Sequence, residues 1–74
     1  MVTAYIMVEV ESGTENDVAA AIKKKKGVKD VGIVYGEYDI VLKVEVGTME
    51  DLQNFVLSLR KEKGIRRTTT MIAV

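Results

Sequence analysis

The residues of this chain that offer chemistry lie in two short stretches, Tyr35-Gly36-Glu37-Tyr38-Asp39 and Thr68-Thr69-Thr70. The first has the composition of a tight turn, with Gly36 supplying an unusual φ and Asp39 a local side-chain bond to the backbone. The same five residues can also form half of a pocket for a zwitterion. Backbone N–H groups near Gly36 would receive a carboxylate, and Asp39 would pair with an ammonium group. Thr68 and Thr70, two apart on a strand, point to one face and would add hydroxyl bonds. Plain strand preference also accounts for threonine at those positions. Turn and pocket are both compatible with these residue types.

What is missing narrows the chemistry further. The 74 residues contain no Cys and no His. Disulfides, CxxC redox chemistry, thiolate nucleophiles, imidazole bases and the usual zinc sites are therefore excluded. An enzyme would have to use Asp39, Glu37 or a tyrosine as its sole acid or base, so no catalytic residue, metal or cofactor is expected. Eleven Lys+Arg balance eleven Asp+Glu, for a formal net charge of zero. That balance lacks the basic excess that a nucleic-acid or anionic-membrane surface needs. The run Lys23–Lys26 is the strongest local charge. It suits the C-terminal end of a helix dipole better than a phosphate patch. No apolar stretch approaches bilayer length and no signal-peptide pattern is present, so a cytoplasmic location is expected.

Periodicity shows which elements hold the two stretches. Residues 3–10 alternate, with Ala4, Ile6, Val8 and Val10 on one side and Thr3, Tyr5, Met7 and Glu9 on the other. Thr14 with Asp17 three residues on reads as a helix N-cap, followed by a stripe of Val18, Ala21 and Ile22. Gly27 is placed to end that helix. Val28–Tyr35 reads as a second strand, residues 36–39 as a tight connection, and Ile40–Val46 as a third strand paired antiparallel to the second. Thr48 with Asp51 repeats the N-cap signal. Leu52, Phe55, Val56 and Leu59 then complete a helical core stripe that Gly64 ends. Ile65–Val74 is the last strand.

The two halves match in sequence: Gly13-Thr14-x-x-Asp17-Val18 recurs as Gly47-Thr48-x-x-Asp51-Leu52, and Lys26-Gly27-Val28-Lys29 as Lys63-Gly64-Ile65-Arg66. The order βαββαβ predicts one α+β domain over residues 1–74, a ferredoxin-like sandwich. It has a four-stranded antiparallel sheet with both helices on one face. The other face carries Tyr5, Met7 and Val41 among Thr3, Lys43 and Glu45. An uncovered apolar group of this kind, in a domain too small to bury a large core, predicts a homodimer through the sheet.

The run Tyr35-Gly36-Glu37-Tyr38-Asp39-Ile40-Val41-Leu42-Lys43-Val44 resembles the G-x-Y-D-hydrophobic hairpin of the Lrp/AsnC, or feast/famine, transcriptional regulators. Gly64-Ile65-Arg66-Arg67-Thr68-Thr69-Thr70 resembles their G-V-x-R-T-x-T ending. The likeness spans essentially the whole chain, but only as the C-terminal effector and assembly domain of that family, the RAM domain. It implies sheet-mediated dimers that assemble further into octamers or rings, with an amino-acid effector bound between dimers. By that resemblance the ligand meets Gly36, Asp39, Thr68 and Thr70, with Tyr35, Glu37 and Tyr38 as neighbours. Tyr35 departs from the small polar residue that many members carry before the glycine.

The first strand begins within three residues of Met1, leaving no helix-turn-helix. A stand-alone RAM protein, or an effector domain cut from a longer regulator, is therefore expected, without direct DNA binding but able to join full-length Lrp/AsnC-type regulators in mixed assemblies. The alternative functions are a purely structural oligomerisation domain with a vestigial pocket and a small dimeric enzyme of the same fold.

Overall fold

A computed structural model describes all 74 residues. The elements are β1 (Val2–Val10), α1 (Glu15–Lys23), β2 (Val28–Ile33), β3 (Ile40–Val46), α2 (Met49–Arg60) and β4 (Ile65–Ile72). The four strands form a single antiparallel sheet in the order β2-β3-β1-β4. This is the expected ferredoxin-like βαββαβ arrangement, in which the central pair comes from the two halves of the sequence.

Strand alternation decides what is buried. Register pairs Ala4 with Val44, Ile6 with Leu42 and Val8 with Ile40, and all six side chains are buried. They pack with Val18, Ala19 and Ile22 of α1 and Leu52, Phe55 and Leu59 of α2. In α1 the buried residue beside Val18 is Ala19 and not the expected Ala21, which is only half-buried. No polar side chain is buried in this cluster. Each large apolar side chain therefore contributes about 1.5–3 kcal/mol of burial without an opposing desolvation cost.

The two helix starts look alike in sequence and differ in structure. Thr48 has the extended backbone of an N-cap, and its hydroxyl accepts from the Asp51 N–H at 3.1 Å. Thr14 (φ −102°, ψ 4°) lacks that geometry and does not cap α1. Its hydroxyl donates backwards to the Glu11 carbonyl at 2.6 Å.

Gly27 and Gly64 also stand slightly further on than the sequence predicts. The helices end with Lys24 and Lys61 as C-caps, and each glycine, at φ +96°, lies three residues beyond. There it occupies the third position of a turn, the place that requires positive φ in type II. The Gly27 carbonyl accepts from the Glu45 N–H and the Gly64 carbonyl from the Glu11 N–H, each at 2.8 Å. Equivalent bonds thus tie each crossover to the strand of the opposite half.

Two strand ends are corrected. β2 stops at Ile33, two residues before Tyr35, and β4 stops at Ile72 and not at Val74. Val34 and Tyr35 have no core to face and are exposed, so the chain leaves the sheet there. The connection between β2 and β3 is therefore Val34–Asp39. It is closed by the Val34 N–H donating to the Asp39 carbonyl at 2.8 Å.

Candidate functional site

The hairpin is anchored by its last two residues. The Asp39 N–H donates to the Val8 carbonyl at 2.9 Å. The Asp39 carboxylate accepts from the Val10 N–H at 2.8 Å through Oδ2. Val10 lies beyond the end of the β1–β3 ladder, so this side chain supplies the acceptor that β3 no longer offers. Tyr38 reaches across β1, and its hydroxyl lies 2.7 Å from Thr69 Oγ1 on β4. The Arg67 guanidinium sits 5.0 Å from the centroid of the Tyr38 ring and 3.4 Å from Glu9 Oε1. Glu9, Arg67, Thr69 and Tyr38 thus latch the hairpin to the uncovered side of the sheet.

The remaining hairpin residues project outward. Tyr35, Gly36 and Glu37 are exposed. Gly36 has φ +122°, and a Cβ there would meet nothing within 4 Å. The glycine is required by backbone conformation and not by crowding.

Thr68 and Thr70 do share one face, as the spacing predicts, but it is the helix face. They stand opposite Val8 and Ile6, which are fully buried beneath the helices. The Thr68 hydroxyl accepts from Arg60 Nε at 3.3 Å. Thr70 lines an apolar groove of about 400 Å³ between β4 and α2, with Met49, Val56, Leu57 and Ile72. Thr69 alone of the three faces the hairpin.

Asp39 and Thr68 flank β1 from opposite sides, two inter-strand spacings apart, or about 10 Å. No cleft of the single chain is lined by both the hairpin and the β4 threonines. One protomer therefore holds these residues as two separate halves. Sequence reasoning missed Arg67 and the Val10 amide, because nothing local links either to the hairpin 29 residues away, and it missed Arg60, whose contact with Thr68 depends on how α2 packs beside β4.

The uncovered face is continuous with the latch. Tyr5, Met7, Val41 and Met71 occupy it, with Tyr5 opposite Lys43 and Met71, and Met7 opposite Val41 and Thr69. Tyr5 and Met71 are 40% and 48% exposed, a large apolar cost if water stayed in contact with them. The lysine run behaves mainly as a helix end, except at Lys25. Its ammonium donates to Ser58 Oγ at 2.8 Å and lies 3.9 Å from Glu62, joining the two crossover turns. No group of acidic residues is arranged to hold a metal ion, and no helix is long and apolar enough to cross a membrane.

Comparison with known proteins decides the family. The family described as Lrp/AsnC ligand binding domain matches residues 3–74. This chain belongs to that family. The Lrp/AsnC domain is 40% identical, over 96% of its length, to an uncharacterised HTH-type transcriptional regulator of Pyrococcus furiosus, of which it covers 50%. It spans about half the length of the curated regulators it matches first.

Among solved structures, the Lrp/AsnC domain superposes on a hypothetical protein from Pyrococcus horikoshii with a TM-score of 0.94 and 41% identity. That match covers 100% of this chain and 90% of the other. A transcriptional regulator from Neisseria meningitidis, solved as a complex with L-Met, superposes with a TM-score of 0.89. It is 24% identical, with 99% of this chain and 49% of that one covered, and shows the shared fold.

Proposed function

We propose that this Lrp/AsnC domain is an amino-acid-responsive assembly module acting in the cytoplasm. It forms a homodimer through the uncovered sheet face and higher assemblies such as octamers or rings. The effector binds where the hairpin of one subunit, Tyr35 to Asp39, meets Thr68 and Thr70 of another. The observation that carries this reading is the separation of those two halves on a single chain. A site built from both requires a neighbouring copy, so a ligand there binds only the assembled state and shifts the equilibrium toward it. The L-Met complex of a fold neighbour supports the amino-acid class of ligand.

Within the site, the N–H groups around Gly36 receive the effector carboxylate, and Asp39, through the oxygen not used by Val10, receives the ammonium. The domain has no enzymatic role and makes no direct nucleic-acid contact. Its partners are further copies of itself and Lrp/AsnC-type regulators with which it forms mixed assemblies.

Calorimetric titration against each common amino acid, run beside sedimentation velocity, tests the reading. A saturable isotherm for one or a few amino acids, with a shift in assembly size and loss of both on Asp39→Asn, is the expected result. A stable oligomer that no amino acid perturbs would establish the purely structural alternative.

A further inference from the structure

We propose that Arg60, Arg66 and Thr68 form a receptor for a single oxyanion near the start of β4, using no hairpin residue and sharing only Thr68 with the effector site proposed above. A cleft of about 310 Å³ is lined there by Arg60, Ile65, Arg66, Arg67 and Thr68. Arg60 and Arg66 both line it, while the Arg67 guanidinium is turned to the opposite sheet face, over Tyr38 and 3.4 Å from Glu9. Neither Arg60 nor Arg66 has a carboxylate within 4.0 Å. Cationic side chains gathered without counter-charge repel one another, and a bound anion removes that repulsion.

Each cation is placed by a specific feature of the fold. Arg60 ends α2, and its Nε is occupied by the Thr68 hydroxyl at 3.3 Å, so the terminal nitrogens of the fork remain available. Arg66 is the extra residue of a β-bulge. Register passes from Glu9–Arg67 to Val10–Ile65, leaving Arg66 without a partner on β1. Bulges re-aim side chains in this way.

Backbone donors add to the site. The Ala73 N–H donates to the Thr3 carbonyl at 2.9 Å, which makes the odd-numbered residues of β4 the hydrogen-bonded partners of β1. The Thr68 and Thr70 N–H groups consequently turn outward, along the free edge of the sheet. A fixed guanidinium, a second unpaired guanidinium and an outward amide make a set of donors that favours carboxylate or phosphate oxygens over neutral acceptors.

The ligand is accordingly a small soluble molecule bearing one exposed carboxylate or phosphate. The test follows arginine side-chain Nε–Hε signals by NMR during titration with inorganic phosphate, with glutarate, and with sodium chloride as the ionic-strength control. A saturating shift of the Arg60 signal with phosphate alone would identify a phosphorylated ligand, and with glutarate alone a carboxylic acid. Either supports the receptor.

Arg66→Gln should weaken that binding about tenfold, the loss of one charge-assisted contact. Arg60→Lys should weaken it similarly while keeping the net charge. Shifts that rise linearly and match the chloride control, or binding unaffected by Arg66→Gln, would overturn the proposal. Arg60→Lys and Arg66→Gln lie outside the hairpin, so silence here leaves the amino-acid titration free to succeed or fail by itself.

Discussion

The Asp39 carboxylate accepts a hydrogen bond from the Val10 N–H at 2.8 Å, bridging the end of β1 to the residue just before β3. One carboxylate oxygen therefore continues a strand ladder that the backbone has abandoned, while the other is not needed for that bond. A residue that reads in sequence as either turn former or ligand contact is, at its first oxygen, part of the sheet.

That double use separates two substitutions. Asp39→Ala leaves the part-buried Val10 amide without an acceptor and should cost about 1–3 kcal/mol. A melting temperature lower by several degrees per kcal/mol is the corresponding reading for a domain of this size. Asp39→Asn keeps an oxygen acceptor and should melt within about 1 kcal/mol of the parent while losing the charge. Thermal denaturation of both variants checks the difference; equal melting temperatures would mean the bond contributes nothing.

The hairpin latch is expected to behave as one unit. Tyr38→Phe and Thr69→Val each remove the same 2.7 Å hydrogen bond and should each cost about 0.5–1.5 kcal/mol. The double variant should cost much less than the sum, because the second change has no bond left to break. Urea denaturation of the two single variants and the double variant measures this coupling directly, and strict additivity would count against the latch.

Gly27 and Gly13 both have positive φ, +96° and +88°, yet they are not equally replaceable. A Cβ at Gly27 would lie 3.0 Å from the Glu45 carbonyl oxygen, which is backbone and cannot swing aside. At Gly13 it would meet nothing within 4 Å. Gly13→Ala should cost about 1–2 kcal/mol from the left-handed conformation alone. Gly27→Ala should cost visibly more and disturb the Glu45–Gly27 bond. Denaturation midpoints, with amide exchange at Glu45, report both effects.

The uncovered sheet face should carry the dimer. Met7→Lys places a charge at the middle of that face, opposite Val41 and Thr69, on a side chain that points away from the core. The variant should retain its circular dichroism spectrum and elute as a monomer in size-exclusion chromatography. If the elution volume does not change, subunits meet through some other surface.

What the sequence determined by itself is what a few neighbouring residues can encode. Alternation in residues 3–10 and 40–46 is enough to name the buried faces, and Leu52, Phe55 and Leu59 fall where helical spacing puts them. The repeated glycine and threonine signals give the βαββαβ order and hence the sheet. Even there, two equal cap signals resolve differently, because Thr48 is extended and Thr14 is not.

The candidate site was legible only as residue types. Tertiary structure decided that the Asp39 carboxylate turns to Val10, that the Tyr38 hydroxyl is taken by Thr69, and that Thr68 and Thr70 face α2 and not the hairpin. The reason is physical. A strand's period of two fixes which side chains share a face, but the face itself is chosen by which strands lie beside it. A polar group's partner depends on register across 29 or 31 residues, a distance over which local sequence carries no signal.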